Sequence, residues 1–282
     1  MGIFIVFMMV GGTVQSLIVV IAHLLYGQRE GRQFGHRVMY NTFSVLLPLL
    51  FGKVDVEGLE NLPKTQEDKD MTVYVSNHQS TLDFALYYAM PADTLCGICA
   101  VAKSSIMYMP GFGWMTMLCG GIMIKRGKKG TMTQMLEAGR QRVGNGINIG
   151  MFPQGTRGVP SETIPPIEIK KGFAVLAAEL GRPVVPMTFL YDDDIMSGVR
   201  RPDGSTPGIK VIVHPQIHVK KNDDAIIAAA VRETTDAIIG PILAKMPPGT
   251  DKVWEAKLAE QAKKKEEKAR EKAKAKEGRK EK

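Results

Sequence analysis

Short apolar runs alternate with segments of helical spacing over most of this chain. Four runs are rich in Val, Ile and Met, as buried strands are, and they cover residues 71–76, 147–152, 183–190 and 209–214. Four other segments have the apolar spacing of a helix face, and they cover residues 81–89, 131–143, 172–180 and 223–239. This alternation predicts an α/β fold in which helices flank a largely parallel sheet.

An apolar segment at residues 3–25 precedes this pattern. It is long enough to cross a bilayer, which takes about 20 residues, and it lacks the basic start of a cleaved signal peptide. Arg29, Arg32 and Arg37 follow it, so the positive-inside tendency predicts that the rest of the chain faces the cytosol. The alternative is a core helix of a soluble domain, because glycines and polar residues dilute the apolar signal.

A second apolar stretch and a proline-rich break predict the limits of the folded domain. Residues 43–51 include Pro48 and are too few to span a bilayer, so we predict an interfacial or re-entrant segment. Residues 247–249, Pro-Pro-Gly, form a turn signal after the last helical segment. We therefore expect membrane-associated helices over residues 1–52, one α/β domain over 53–246, and a charged helix or disordered tail over 247–282.

The chain is basic, but its charge is unevenly distributed. A formal charge of +8 and a pI near 9.3 favour partners that carry phosphate or carboxylate groups. Residues 251–282 hold 13 basic and 8 acidic side chains, so the rest of the chain is only mildly basic. This tail lacks the interleaved aromatic residues of a nucleic-acid-binding segment, and we expect no nucleic-acid partner.

The chain has three cysteines, Cys96, Cys99 and Cys119. A count that is both low and odd argues against a disulfide framework. Cys96 and Cys99 have the C-x-x-C spacing of redox and zinc sites, but they lie in an apolar run. No second Cys or His pair follows at zinc spacing. Buried strand cysteines are the expected outcome, and we expect no metal site.

A histidine and an aspartate lie five positions apart in the segment Asn-His-Gln-Ser-Thr-Leu-Asp at residues 77–83. The segment links a predicted strand to a predicted helix, where α/β proteins commonly bind ligands. An Asp83 carboxylate bonded to one nitrogen of the His78 imidazole would leave the other nitrogen free as a base. The chain has no G-x-S-x-G motif to supply a serine nucleophile, so a substrate hydroxyl is the expected nucleophile.

A second segment, Met-Phe-Pro-Gln-Gly-Thr-Arg-Gly at residues 151–158, also comes at the end of a predicted strand. Its backbone N–H groups and the Arg157 guanidinium are suited to hold a phosphate. An ordinary β-turn with a solvent-facing arginine is the alternative for this segment taken alone.

Together the two segments resemble the motifs of the glycerolipid acyltransferases, most closely the 1-acylglycerol-3-phosphate acyltransferases. The family motif NHxSxxD is matched by Asn77, His78, Ser80 and Asp83. The family motif FPEGTR is matched by residues 152–157 at every position except Gln154. Residues 121–126 are similar to the Gly/aliphatic/Arg block between these motifs, and residues 184–187 to the apolar Val-Pro block after them. The resemblance covers residues 54–214.

The resemblance implies a reaction between acyl-CoA and the sn-2 hydroxyl of lysophosphatidic acid that gives phosphatidic acid and CoA. His78 would act as general base, with Asp83 as its orienting partner. The residues that the resemblance assigns to substrate binding are Lys103, Arg126, Gly155, Thr156 and Arg157. It implies no cofactor beyond the acyl-CoA donor, and a membrane location: the endoplasmic reticulum membrane in a eukaryote or the cytoplasmic membrane in a bacterium.

Gln154 is the one departure from the third motif, where the family has Glu. Glutamine can replace a carboxylate that only accepts hydrogen bonds, whereas a carboxylate that positions an arginine needs its charge. Two alternatives therefore stay open. One is the same chemistry on glycerol-3-phosphate or another lysophospholipid, and the other is a membrane-anchored scaffold with a decayed active site.

Overall fold

The central element of the fold is a mostly parallel β-sheet. The computed structural model describes residues 2–52, 54–64, 71–80, 83–91, 97–143, 145–158, 168–192, 208–220 and 222–277. The strands are β1 (Val54–Glu57), β2 (Val73–Ser76), β3 (Ile98–Lys103), β4 (Ile122–Ile124), β5 (Asn148–Met151), β6 (Val184–Tyr191) and β7 (Ile209–Val213). All four predicted strands are present within one or two residues of their predicted bounds.

The described α-helices lie between and around these strands. They are α1 (Gly2–Tyr26), α2 (Gln28–Phe51), α3 (Asp83–Leu86), α4 (Phe112–Leu118), α5 (Thr131–Arg142), α6 (Gly172–Leu180), α7 (Asp224–Ala244) and α8 (Thr250–Glu277). Short 3₁₀ segments cover Leu59–Asn61, Tyr87–Ala89 and Ser104–Tyr108. The helix predicted at 81–89 is thus observed as α3 and a 3₁₀ turn, and its first two residues lie outside the described part.

The strand order is β1-β7-β6-β2-β5-β3-β4. Each neighbouring pair is parallel except β6 and β7. The prediction of an α/β fold with a largely parallel sheet is therefore confirmed. Five strands, β6, β2, β5, β3 and β4, run in one direction, so their carboxyl ends meet at one edge of the sheet.

Both faces of the sheet are buried, which explains why its strands are apolar throughout. Successive side chains of a strand point to opposite faces. In β2, Tyr74 packs with α2 and α3 residues on one face, while Val73 and Val75 pack with α6 and α7 residues on the other. The two cores hold the central strands rigidly and fix where their carboxyl ends lie.

The helices α1 and α2 form an antiparallel hairpin around Gly27, whose φ of 86° is in the left-handed region. Gly31 and Gly35 allow the two helices to approach closely, since a Cβ on Gly31 would lie 2.8 Å from the Cα of His23. Among the described residues, the window Met9–Tyr26 is long and apolar enough to cross a membrane, and 22% of it is buried.

The predicted interfacial stretch at residues 43–51 is the end of the long helix α2 and packs partly into the core. Phe43 and Leu47 are buried, and the Phe43 ring stacks on Tyr88 with centroids 5.6 Å apart. Val45 and Leu49 on the other side of the helix are exposed. One face of this stretch therefore anchors the hairpin to the α/β domain.

The end of the α/β domain follows the predicted break. The helix α7 is capped by Asp223, whose side chain accepts hydrogen bonds from the N–H groups of Ala225 and Ile226. It continues past its predicted end to Ala244 in spite of Pro241. Residues 247–249 then separate α7 from the charged helix α8, and the exact domain limits stay a prediction.

Candidate active site

The predicted site residues lie at the carboxyl edge of the five parallel strands. His78 follows β2, residues 152–157 follow β5, Lys103 ends β3 and Arg126 follows β4. Neighbouring strands are about 4.8 Å apart, so these segments form one continuous row along the edge. Asp83 joins the row as the first residue of α3.

His78 and Asp83 are in direct contact. Nδ1 of His78 lies 2.7 Å from Oδ2 of Asp83, and because an ionised carboxylate only accepts, Nδ1 carries the proton. The same oxygen accepts the backbone N–H groups of Gln79 at 2.6 Å and Ser80 at 2.9 Å. Asp83 is fully buried, whereas the His78 side chain is 21% exposed. The Nε2 atom of His78 is thus the nitrogen that remains for proton transfer.

The His78 ring is also held from the β5 side of the site. It stacks on Phe152 with ring centroids 4.2 Å apart and planes within 11° of parallel. This contact covers one face of the imidazole, and together with the Asp83 hydrogen bond it fixes the ring orientation. An imidazole held in this way is suited to act as a general base.

Gln154 joins the two motifs. Its Oε1 atom accepts the backbone N–H of His78 at 2.7 Å, and its Nε2 atom donates to the Gly158 carbonyl at 3.3 Å. The Gly158 N–H in turn donates to the His78 carbonyl at 2.8 Å. The backbone beside Arg157 is therefore hydrogen bonded to the backbone of His78, and the two motifs are in direct contact. Gln154 is 2% exposed, so these bonds are shielded from water.

Three basic side chains surround the turn at Gly155. The Arg126 guanidinium donates a short hydrogen bond to the Gly155 carbonyl, and Arg157 is an exposed residue of the turn. Lys170, which was not predicted, also lies at this turn. Its Nζ atom occupies space that a side chain at position 155 would need, since a Cβ on Gly155 would be 2.6 Å from it. Sequence spacing gives no signal for Lys170, since the intervening residues 159–167 carry no motif and lie outside the described part.

The backbone of the turn limits what Gly155 itself can bind. Its N–H donates to the Phe152 carbonyl at 3.0 Å, and its carbonyl accepts from Arg126. This donor is therefore engaged within the turn, and the predicted part of Gly155 in substrate binding stays a prediction. Gly155 adopts a φ of 70° and leaves room for Lys170. Thr156 is exposed beside it.

Lys103 lies at the same edge of the sheet. It is exposed at the end of β3, which pairs with β5. Within the described residues its side chain makes no hydrogen bond or ion pair. The structure thus brings His78, Asp83, Arg126, residues 155–157 and Lys170 together, with Lys103 on the strand between β5 and β4.

The second oxygen of Asp83 has a partner that the sequence did not indicate. The Tyr191 hydroxyl, at the end of β6, donates a short hydrogen bond to Oδ1 of Asp83. Residue 191 is 108 positions from residue 83 along the chain, so only the pairing of β6 with β2 brings them together.

The cysteines are structural, as far as the described residues extend. Cys99 and Cys119 are free and buried. Burial raises the pKa of the Cys99 thiol to about 11 and that of Cys119 to about 12, so both stay protonated and unreactive near neutral pH. Cys96 lies outside the described part. In that part no cluster of three or more His, Cys, Asp or Glu side chains is arranged to hold a metal ion.

Known proteins with similar sequences are acyltransferases. The model of the acyltransferase family matches residues 53–190. A chloroplastic 1-acyl-sn-glycerol-3-phosphate acyltransferase of Brassica napus is 31% identical over 205 residues, which are 71% of this chain and 55% of that protein. The 1-acyl-sn-glycerol-3-phosphate acyltransferase of Saccharomyces cerevisiae is 32% identical over 163 residues, 57% of this chain and 50% of that protein. The chain spans about half the length of these curated relatives.

A solved structure has the same fold. The crystal structure of a 1-acyl-sn-glycerophosphate acyltransferase from Thermotoga maritima superposes with a TM-score of 0.56 at 21% sequence identity. The superposition covers 85% of this chain and 98% of that one. The shared architecture therefore includes more of the chain than the family model does.

Proposed function

We propose that the protein belongs to the acyltransferase family, whose model matches residues 53–190, and that it transfers a fatty acyl group from acyl-CoA to the sn-2 hydroxyl of lysophosphatidic acid. The observation that carries this proposal is the direct bonding of the two motifs. His78, which is paired with a buried carboxylate, is hydrogen bonded to Gln154 and Gly158 on either side of the basic turn. A base and a phosphate site in one cleft suit an acceptor that carries both a hydroxyl and a phosphate.

The proposed reaction needs no acyl-enzyme. Nε2 of His78 takes the proton of the acceptor hydroxyl while the hydroxyl oxygen attacks the thioester carbonyl carbon. The tetrahedral intermediate then collapses, the carbon–sulfur bond breaks, and the CoA thiolate takes the proton back from the imidazolium. Asp83 stabilises the imidazolium charge between these two steps. The products are phosphatidic acid and CoA, and the base is regenerated.

The basic side chains around Gly155 are proposed to hold the acceptor phosphate. Arg157 offers a planar fork that suits two phosphate oxygens, and Arg126 and Lys170 add charge from either side of the turn. A lysophosphatidic acid phosphate carries up to two negative charges, which this set of cations can neutralise. Lys103, at the end of β3 between β5 and β4, is proposed to add a further positive charge at this edge.

The N-terminal hairpin is proposed to attach the enzyme to the membrane that supplies its lipid acceptor. Large apolar side chains of α1 are exposed, namely Val10, Val14, Leu17, Ile21, Leu24 and Leu25. Trp114 and Met117 of α4, a helix packed against α1, are also more than one third exposed. Exposed apolar surface of this extent indicates contact with lipid. We expect the α/β domain to face the cytosol.

An acceptor comparison tests the proposed substrate. Full-length protein in detergent micelles is given acyl-CoA with lysophosphatidic acid, glycerol-3-phosphate or lysophosphatidylcholine, and the acylated product of each is quantified. We expect lysophosphatidic acid to have the highest kcat/KM. A preference for glycerol-3-phosphate would show that the protein acylates glycerol-3-phosphate instead. If none of the three acceptors is acylated, the result would favour a catalytically inactive scaffold.

Lys170 and Lys171 form a matched pair for testing the phosphate site. Lys170 lies over Gly155, whereas Lys171 forms an exposed ion pair with Asp224 at 3.1 Å, a contact worth little. Lys170→Ala should raise the KM for lysophosphatidic acid about 3- to 30-fold with little change in kcat, because a charge-assisted contact is lost. Lys171→Ala should leave both constants near wild type. Equal effects of the two substitutions would remove Lys170 from the site.

Substitutions at position 154 test whether the presence of Gln instead of the family's Glu has abolished the activity. Gln154→Glu retains an acceptor for the His78 N–H but cannot donate to the Gly158 carbonyl, so we expect kcat within about tenfold of wild type. Gln154→Ala loses both bonds, and kcat should fall about 10- to 100-fold. A wild-type protein without activity that gains it through Gln154→Glu would instead show that the site has decayed.

A further inference from the structure

The Asp83 carboxylate is unusual in how completely its two oxygens are satisfied. Oδ2 accepts from the His78 ring and from two backbone N–H groups, and Oδ1 accepts from the Tyr191 hydroxyl. Among the described residues Tyr191 is the one donor on Oδ1. Because Asp83 is fully buried, no bulk water is available to replace that donor.

Tyr191 is held in place by the strand that carries it. The strands β2 and β6 are parallel, with Ser76 opposite Met187, so β6 extends four residues beyond the end of β2. This extension lies beside the corner that contains His78. Asn77 holds this part of β6 in place, since its side chain donates a hydrogen bond to the Phe189 carbonyl at 2.9 Å and accepts one from the Phe189 N–H at 2.7 Å. The position of the Tyr191 ring is therefore set by the sheet.

The Tyr191 hydroxyl is a permanent donor at neutral pH. Burial, the Asp83 charge and the hydrogen bond to Asp83 all raise the pKa of Tyr191 well above its usual value. Among the described residues, the other titratable groups that face Asp83 are His78 and Tyr87. The pKa of Tyr87 is also raised, mainly by burial, so neither tyrosine competes with His78 for the proton that is transferred.

We propose that Tyr191 is a positioning residue for acyl transfer: its hydroxyl binds Oδ1 of Asp83 and thereby keeps Oδ2 directed at Nδ1 of His78. This inference rests on the proposed function of His78 as the base. A carboxylate with one unsatisfied buried oxygen can rotate or take up a proton. Either change would disturb the tautomer and the orientation of the imidazole on which proton transfer depends.

Tyr191→Phe removes the hydroxyl and preserves the ring. Loss of this donor makes Asp83 more basic, and a more basic carboxylate raises the proton affinity of the His78 ring. The acid limb of the pH profile of kcat/KM should therefore move to higher pH. We expect kcat to fall about 5- to 50-fold, as for the loss of one hydrogen bond to a charged group, with the KM for lysophosphatidic acid within about twofold of wild type.

Tyr87→Phe is the matched control. Tyr87 is a buried tyrosine near the same site, but its hydroxyl bonds to Ser76 at 2.9 Å and not to Asp83. Its removal should leave the acid limb unchanged. A second comparison uses the Asp83→Asn background, where Tyr191→Phe should have little further effect on kcat, because Tyr191 acts through the carboxylate.

The His78 titration provides a readout that does not depend on turnover. NMR of the imidazole in the full-length protein should show a higher midpoint in Tyr191→Phe than in wild type or in Tyr87→Phe. An unchanged midpoint and pH profile in Tyr191→Phe would overturn the inference while leaving the proposed function intact. A wild-type protein that fails to acylate lysophosphatidic acid would refute the proposed function, and the NMR comparison would still decide the role of Tyr191.

Discussion

His78→Ala should lower kcat for the acylation of lysophosphatidic acid by about 10²- to 10⁴-fold, the range expected for loss of a general base. No other described histidine lies at the carboxyl edge of β2, and His214, near the end of β7, is engaged with the Thr188 hydroxyl at 2.8 Å. Binding of lysophosphatidic acid should change little, because the base acts on the hydroxyl and not on the phosphate. Initial rates of CoA release at saturating substrates measure this effect.

The control for this substitution is the exposed His218, which lies outside the site. His218→Ala should behave as wild type, so that a general loss of stability can be separated from the loss of the base. If His78→Ala retains near-normal turnover, the proton must be removed by another group, and the assignment of the base is wrong.

Arg157→Ala should lower kcat/KM for lysophosphatidic acid by about 10- to 150-fold, as expected when a hydrogen bond to a charged group is lost. Most of this effect should appear in KM, since the phosphate is bound in the same way before and during acyl transfer. The guanidinium is exposed, so its removal leaves no buried cavity and should cost little stability.

Arg157→Lys separates the contribution of the positive charge of Arg157 from that of its planar guanidinium group. It keeps the charge but loses the planar fork, so its kcat/KM should lie between wild type and Arg157→Ala. Arg232→Ala on the surface of α7 controls for net charge. A loss that is the same for lysophosphatidic acid and for a phosphate-free monoacylglycerol would show that Arg157 does not recognise the phosphate.

Sequence patterns predicted the parts of the site that are local along the chain. His78 and Asp83 lie five positions apart across one strand-to-helix corner, so a short motif is enough to predict their contact. The turn at residues 152–157 is equally local. Each motif also follows a strong apolar strand, and carboxyl ends of parallel strands share an edge, which brought the two motifs together in the prediction as in the structure.

Contacts between distant segments were missing from the prediction. Tyr191 reaches Asp83 only because β6 lies next to β2, and Lys170 reaches Gly155 only because the chain returns to the turn. Neither residue has a pattern of its own. The satisfied N–H of Gly155 was also beyond sequence reasoning, because it depends on the turn geometry and not on the residue types.

The elements of the fold, like the residues of the site, were predicted where the local sequence pattern is strong and missed where it is weak. The strands β2, β5, β6 and β7 were located within one or two residues, whereas β1, β4 and α4 were not predicted as separate elements because three to seven residues carry little periodicity. The antiparallel direction of β7 cannot be read from its composition. The stretch at residues 43–51 was predicted as a separate interfacial or re-entrant segment because it is apolar and too short to span a bilayer, whereas it is the end of a single long helix that contains Pro48.

The central claim is that one cleft activates a hydroxyl and binds the phosphate of the same acceptor. The most direct test measures phosphatidic acid and free CoA together, with purified full-length protein, acyl-CoA and lysophosphatidic acid in detergent micelles. We predict equal amounts of the two products, and loss of both in His78→Ala. CoA release without phosphatidic acid, or no release at all, would contradict the claim.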